Sequence, residues 1–248
     1  MKKSFLMLAA ATLLLVSGLK AQTNLQVFYD FSREHVTTTL EGFYNDNWGN
    51  TFFFIDYDYN TRDADDKVYA PNGTYFEIAR CLNFWQDNES LSPFSLHLEY
   101  NGGVYTGYTI NSAFLGGVDY FLHNGDFSNT LNLKVLYKNI AHTSSDVPMQ
   151  LTAVWGMQDI FGVAGLRFSG FADFWWEDHT LFFDNSEDPM VPEDSKVVFI
   201  SEPQLWYNVG QHFDCPNLNV GGEVELSYDF GTVQGFKVRP CLGVKWNF

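Results

Sequence analysis

Basic residues are scarce in this chain: 14 Lys and Arg stand against 30 Asp and Glu in 248 residues, a formal net charge of −16. Phosphate backbones attract the opposite sign, so nucleic acid is excluded as a partner. Charge of either sign is thin, at 18% of residues against an average of about 25%. Cysteine is nearly absent, and Cys81, Cys215 and Cys241 are an odd set whose spacing matches no metal-binding pattern. Cys215 with Cys241 is the pair that could oxidise in an exported protein; small apolar filling is the other reading. Long apolar runs are missing beyond the first twenty residues, where a membrane helix would need about 18 in a row. Gly-x-Ser-x-Gly, His-Glu-x-x-His and phosphate-cradling glycine loops are all lacking, so no catalytic step, cofactor or resident metal is implied.

What is abundant is the aromatic side chain, at 18% of residues. Residues 1–21 carry a basic start at Lys2 and Lys3, an apolar stretch from Phe5 to Leu19, and Ala21 before Gln22, the pattern of a secretory signal peptide. Cleavage after Ala21 would remove three Lys and no acid, leaving the mature chain, residues 22–248, more acidic than the whole. No cysteine stands near that site, which excludes lipid attachment there.

Along the mature chain apolar and polar residues alternate with period two, the repeat of a strand with two unlike faces. At the end of the chain Phe236, Val238, Pro240, Leu242, Val244, Trp246 and Phe248 interleave with Lys237, Arg239, Cys241, Gly243, Lys245 and Asn247. The preceding segment repeats the pattern, and a turn near Gly231 to Gln234 joins the two as a hairpin. Glu225 and Asp229 then fall near Arg239 and Lys237 as a charge ladder. Strands are predicted near 25–33, 36–44, 51–59, 74–86, 93–103, 109–123, 128–139, 147–157, 162–176, 196–209, 216–230 and 235–248, twelve in all. Pro240 removes a ladder donor and predicts a bulge or weak pairing there.

On one side the predicted connections are 45–50, 87–92, 124–127, 158–161 and 210–215, none longer than six residues; the long ones, 60–73 and 177–195, lie on the other. Short turns at one rim, long loops at the other and alternating faces are features of transmembrane β-barrels. The predicted fold is therefore all-β, a monomeric twelve-stranded antiparallel transmembrane β-barrel. A secreted carbohydrate-binding β-sandwich would also alternate, but would not place Trp176, Tyr228, Trp246 and Phe248 on apolar strand faces near strand ends. The acid-rich 177–195 segment reads as a solvated outer loop, with Ca²⁺ at Asp184 to Asp188 as the alternative.

The terminal Phe248, with Trp246, Val244 and Leu242 alternating before it, resembles the signature by which outer-membrane barrels are recognised by their assembly machinery. Trp48-Gly49 followed by Phe52, Phe53, Phe54, Ile55, Asp56, Tyr57, Asp58 and Tyr59, then Tyr75-Phe76-Glu77-Ile78, resemble stretches of the nucleoside-specific channel-forming (Tsx-like) outer-membrane porins. The opening run Leu25 to Phe31 and the closing Trp246-Asn247-Phe248 fit the same picture. The resemblance implies a monomeric barrel in a Gram-negative outer membrane, in contact with its lipid, passing nucleosides passively.

A nucleoside is a flat base on a polyhydroxyl sugar, so a selective pore needs ring faces and carboxylates or amides, each holding weakly. Candidate lumen residues are Phe52, Phe54, Asp56 and Asp58 on one face of 51–59; Glu77; His97 and Glu99 beside Ser95 and Asn101; Asp119; Arg167; and Asp173. Each has a plainer reading as part of a pore-filling ladder. Ser95, His97 and Glu99 carry the residue types of a hydrolase triad, but same-strand i, i+2 positions stand about 6.5–7 Å apart, beyond hydrogen-bond reach. A barrel serving adhesion or lipid chemistry is the alternative function.

Overall fold

In a computed structural model, which describes residues 21–59, 71–182 and 192–248, the alternating segments are strands throughout. They are β1 (Ala21–Asp30), β2 (His35–Asp46), β3 (Gly49–Tyr59), β4 (Pro71–Leu82), β5 (Phe94–Tyr105), β6 (Tyr108–His123), β7 (Asn129–Ile140), β8 (Met149–Met157), β9 (Leu166–Leu181), β10 (Glu193–Ser201), β11 (Gln204–Tyr207), β12 (Leu218–Tyr228) and β13 (Phe236–Asn247). Each pairs antiparallel with its neighbour, and β13 pairs with both β12 and β1, so the sheet closes on itself. Closure removes the free edges that a sandwich would keep.

β10 and β11 are two halves of one span: both lie between β9 and β12, separated at Glu202 and Pro203. Counting them once gives a closed twelve-strand antiparallel barrel. The break has a local cause. Pro203 cannot donate to the ladder, while the Glu202 amide reaches back to the Phe171 carbonyl at 3.1 Å. Gly170 lets the chains approach there, since a Cβ at that position would stand 2.4 Å from the Glu202 carbonyl oxygen.

Other expectations need correction. Pro240 makes no bulge; it stays in register opposite Val224. The Val224 amide donates to Pro203 on its other side at 3.1 Å, so Val224 and Pro240 form a non-hydrogen-bonded pair. The missing donor of Pro240 therefore points to where the β1 ladder has ended, and its carbonyl still accepts from Phe31 at 3.2 Å. Cys215 and Cys241 do not pair; all three thiols are free.

The rim that carries the termini is less trim than predicted, because segments 83–93 and 208–217 both exceed a tight turn. The first is folded inward by the Trp85 indole, which donates to the Leu91 and Phe94 carbonyls at 2.9 Å. On the opposite rim β9 runs on to Leu181, so Trp176 is interior to its strand and the acid-rich connection starts later than expected. Residues 1–20, most of the predicted signal peptide, and Asp184 to Asp188, the candidate Ca²⁺ loop, lie outside the described residues.

The outward face of the strands is apolar and exposed: Leu25, Val27 and Tyr29 on β1, Leu96 and Leu98 on β5, Val238, Leu242 and Val244 on β13. Each of the five connections at the terminal rim also presents an exposed aromatic, Trp48, Phe84, Phe127, Phe161 and Phe213. Of the aromatics expected near strand ends, Trp246 and Phe248 stand at this rim, Tyr228 ends β12 at the opposite rim, and Trp176 lies within β9.

Candidate functional site

Register decides what lines the lumen, because each strand turns alternate residues inward. From β1 to β5 one inward row runs Gln26, Thr39, Asp56 and Tyr75, and the next Asn24, Glu41, Phe54, Glu77 and Asn101. By the same continuous register all ten candidate residues, Phe52, Phe54, Asp56, Asp58, Glu77, His97, Glu99, Asp119, Arg167 and Asp173, face inward. They do not form one site. They divide among an aromatic wall, a central charged cluster, a buried trio and the two ends of the pore.

The aromatic wall is Phe52, Phe54 and Tyr75, with ring centroids 6.0 Å apart for the first pair and 5.7 Å for the second. All three rings are half-buried, leaving part of each face toward the lumen. Asp56 extends the wall; it accepts from Thr39 at 2.5 Å and lies within electrostatic reach of Glu41 and of Glu223 on β12. Asp58 accepts from Thr37 and, at 2.8 Å, from the Tyr105 hydroxyl.

In the central cluster Glu77 senses Glu99 beside it and Asp173 on the far wall, together with Lys134 and Lys138 on β7. Carboxylates and lysines from separate strands thus share one electrostatic environment in the lumen. Asp173 accepts from Thr152 at 2.5 Å, and Lys138 donates to Gln150 at 2.7 Å with its ammonium 3.7 Å from the centre of the Trp175 ring. Lys134, Lys138, Glu202, Glu223 and Tyr75 were absent from the sequence candidates. Their signal was available: Lys134 and Lys138 sit on the polar side of a strand whose other side reads Leu133, Val135, Tyr137.

The third group is closed to solvent. His97 has no exposed surface and Asp119 only 3%, so neither offers a face to a passing solute. His97 lies between Cys81, whose sulfur is 3.4 Å from Nδ1, and Glu99, whose carboxylate is 2.9 Å from Nε2. The Cys81 sulfur is also 3.4 Å from Asp119 Oδ2. The 2.9 Å contact corrects the expectation that i, i+2 side chains on one strand cannot hydrogen-bond; long polar side chains lean along the wall, as Gln26 with Asn24 and Gln150 with Thr152 also do. Among the described residues Ser95 makes no hydrogen bond to this group, so no hydrolase triad is assembled. The mutual approach of Cys81, His97 and Asp119 gives this trio the make-up of a metal-ligand set. Sequence spacing could not show it, because the three residues come from three strands.

Toward the opposite rim Glu225 is held by Arg239 across the hairpin and by Arg33 at 2.7 Å, and Arg33 also binds Asp30. This half of the predicted charge ladder forms. The other half does not: Asp229 turns to the Ser195 hydroxyl at 2.8 Å and the Gly235 amide at 2.7 Å, and Lys237 makes no ion pair among the described residues. In the nearby 141–148 connection the Lys196 ammonium, hydrogen-bonded to Asp146, holds that carboxyl below the usual carboxylate range. Arg167, at the terminal rim, is exposed and lies opposite Trp206.

Among solved structures, a NanC porin aligns over 91% of this chain and 100% of its own at 9% identity, with a TM-score of 0.54. That likeness is one of fold. The Acinetobacter baumannii outer membrane protein Omp33 covers 93% of this chain and 98% of its own at 11% identity with a TM-score of 0.41. A BenF-like porin from Pseudomonas fluorescens Pf-5 covers 94% and 65% at 11% identity, with a TM-score of 0.40. No functionally curated protein matches the sequence. One family profile does, over residues 22–248, and the chain belongs to that family, described as "Domain of unknown function (DUF5020)".

Proposed function

We propose that this chain is an outer-membrane channel through which small hydrophilic solutes diffuse passively, with nucleosides as the favoured class. The observation that carries the reading is a closed barrel whose outer face is apolar while its inner face is lined by carboxylates, lysines and hydrogen-bonding side chains. A soluble protein gains nothing from that inversion, whereas lipid demands it and a polar solute needs it. The exposed aromatics at the five connections of one rim fit a membrane interface, where such rings settle. The signal-like residues 1–21 and the terminal Phe248 fit export and barrel assembly, and a monomer suffices for the pore.

The nucleoside preference rests on the wall of Phe52, Phe54 and Tyr75 beside Asp56 and Glu77. Rings offer a face to a base, and carboxylates accept from ribose hydroxyls, as weak contacts that exchange with water one at a time. The test is uptake into proteoliposomes holding the purified barrel. Labelled uridine should enter faster than into protein-free vesicles, and excess adenosine should slow it. Vesicles impermeable to nucleosides and to sugars of similar size would favour the adhesion or lipid-related barrel, while entry without competition would leave a channel lacking nucleoside preference.

A further inference from the structure

We propose that Cys81, His97 and Asp119 bind one thiophilic divalent cation of the zinc class in the wall of the barrel. The three side chains stand on neighbouring strands β4, β5 and β6. Cys81 is directly opposite His97, and Asp119 is opposite Ser95, two residues before His97 on the same face. Their donor atoms lie within 4.8 Å of one another, with sulfur 3.4 Å from both the imidazole nitrogen and the carboxylate oxygen. A tetrahedral Zn²⁺ with Zn–S near 2.3 Å and Zn–N or Zn–O near 2.0–2.1 Å sets its ligand atoms about 3.5 Å apart. The two sulfur distances match a tetrahedron's edge, and the imidazole-to-carboxylate spacing is bounded at 4.8 Å, so a cation could enter with small movements of the side chains.

Two further observations point to a cation. The groups behind the donors are placed as supports: Glu99 holds His97 through Nε2 at 2.9 Å, which leaves Nδ1 for the metal, and Asn132 donates to both Asp119 oxygens at 2.8 and 2.9 Å. Metal-binding histidines and carboxylates are steadied in this way. The second is charge. Asp119 is 3% exposed, yet no ion pair reaches it among the described residues, although Lys134 stands opposite in register. A buried carboxylate without a cation is costly, and a bound metal supplies one.

Thiol, imidazole and carboxylate together select zinc or a similar transition ion over magnesium or calcium, which prefer oxygen alone. On binding, the Cys81 thiol gives its proton to solvent and the thiolate takes the metal, with no change of oxidation state. Three protein donors leave a fourth position for water. The consequence is a clasp across three adjacent strands, independent of any solute in the pore.

The test is metal content and Co²⁺ titration of the purified, folded barrel. Wild type should hold about one equivalent of Zn²⁺ after dialysis against metal-free buffer, and Co²⁺ should give a thiolate-to-cobalt band in the near ultraviolet. Cys81→Ser should abolish the band and Cys215→Ser should keep it; Glu99→Gln should weaken binding by about 10–100-fold. Folding of each variant is checked by the faster gel mobility of the unboiled barrel, and the near-isosteric Asp119→Asn serves as a second ligand variant. Zinc below about a tenth of an equivalent in wild type, or a cobalt band that survives Cys81→Ser, overturns the proposal.

Discussion

Two aspartates at opposite rims close their turns in the same way. Asp159 and Asp229 both take left-handed backbone, with φ near 50°, and each accepts through Oδ1 from the amide six residues on, Gly165 and Gly235, at 2.7 Å. The conformation is one that aspartate tolerates because its short carboxylate can bond locally. Asp229 carries more, since its other oxygen accepts from Ser195. Asp229→Ala should therefore lower stability by about 1–3 kcal/mol, from lost hydrogen bonds and an alanine in left-handed backbone. Urea unfolding followed by tryptophan fluorescence measures it; an unchanged midpoint would show the turn to be held by its backbone alone. At this scale the alternation of the sequence grouped the ten candidates by face, and the register of the sheet keeps them on one face, Phe52 to Asp58 included. Alternation could not tell which would be walled in, because the burial of His97 and Asp119 depends on side chains from neighbouring strands.

Among the strands, the span made of β10 and β11 is the irregular one. Predicted as a single strand over 196–209, it is divided at Glu202 and Pro203, and β9 accommodates the division at Gly170. A methyl group there would meet the Glu202 carbonyl, the Pro203 Cα and the Trp155 ring, all within 3.0 Å. Two of those are backbone, so the neighbours cannot simply swing aside. Gly170→Ala is expected to cost about 1–3 kcal/mol and to lower the temperature at which unboiled protein loses its compact gel mobility. Equal heat resistance in the variant would mean that the β9 to β11 contact relaxes freely. The reading of 196–209 as one strand took no account of Pro203, and the fitting glycine lies more than thirty residues earlier in the chain. Pro240 shows the reverse, a residue that reads as disruptive but is harmless where its ladder has already ended.

For the barrel as a whole, the relevant charge is the one the pore presents. Inward carboxylates at Glu41, Asp56, Asp58, Glu77, Glu99, Asp119, Asp173, Glu202, Glu223 and Glu225 outnumber the inward Lys134, Lys138, Arg167, Lys237, Arg239 and Lys245. In planar bilayers with a salt gradient the reversal potential should show preference for cations, fading as ionic strength rises and the screening length falls from about 10 Å at 0.1 M to about 3 Å at 1 M. A preference for anions would mean that the basic side chains, not the carboxylates, govern the pore. The acid surplus that excluded nucleic acid thus becomes a property of the lumen. By itself the sequence determined the strands, their number and their two faces, because a period of two is local and survives without any partner. Only the tertiary structure decided that the sheet closes through β13 and β1, that carboxylates of separate strands share one lumen, and that Cys81 finds His97 and Asp119. Those are relations between strands distant in the chain, created by register and closure rather than by the residues on either side.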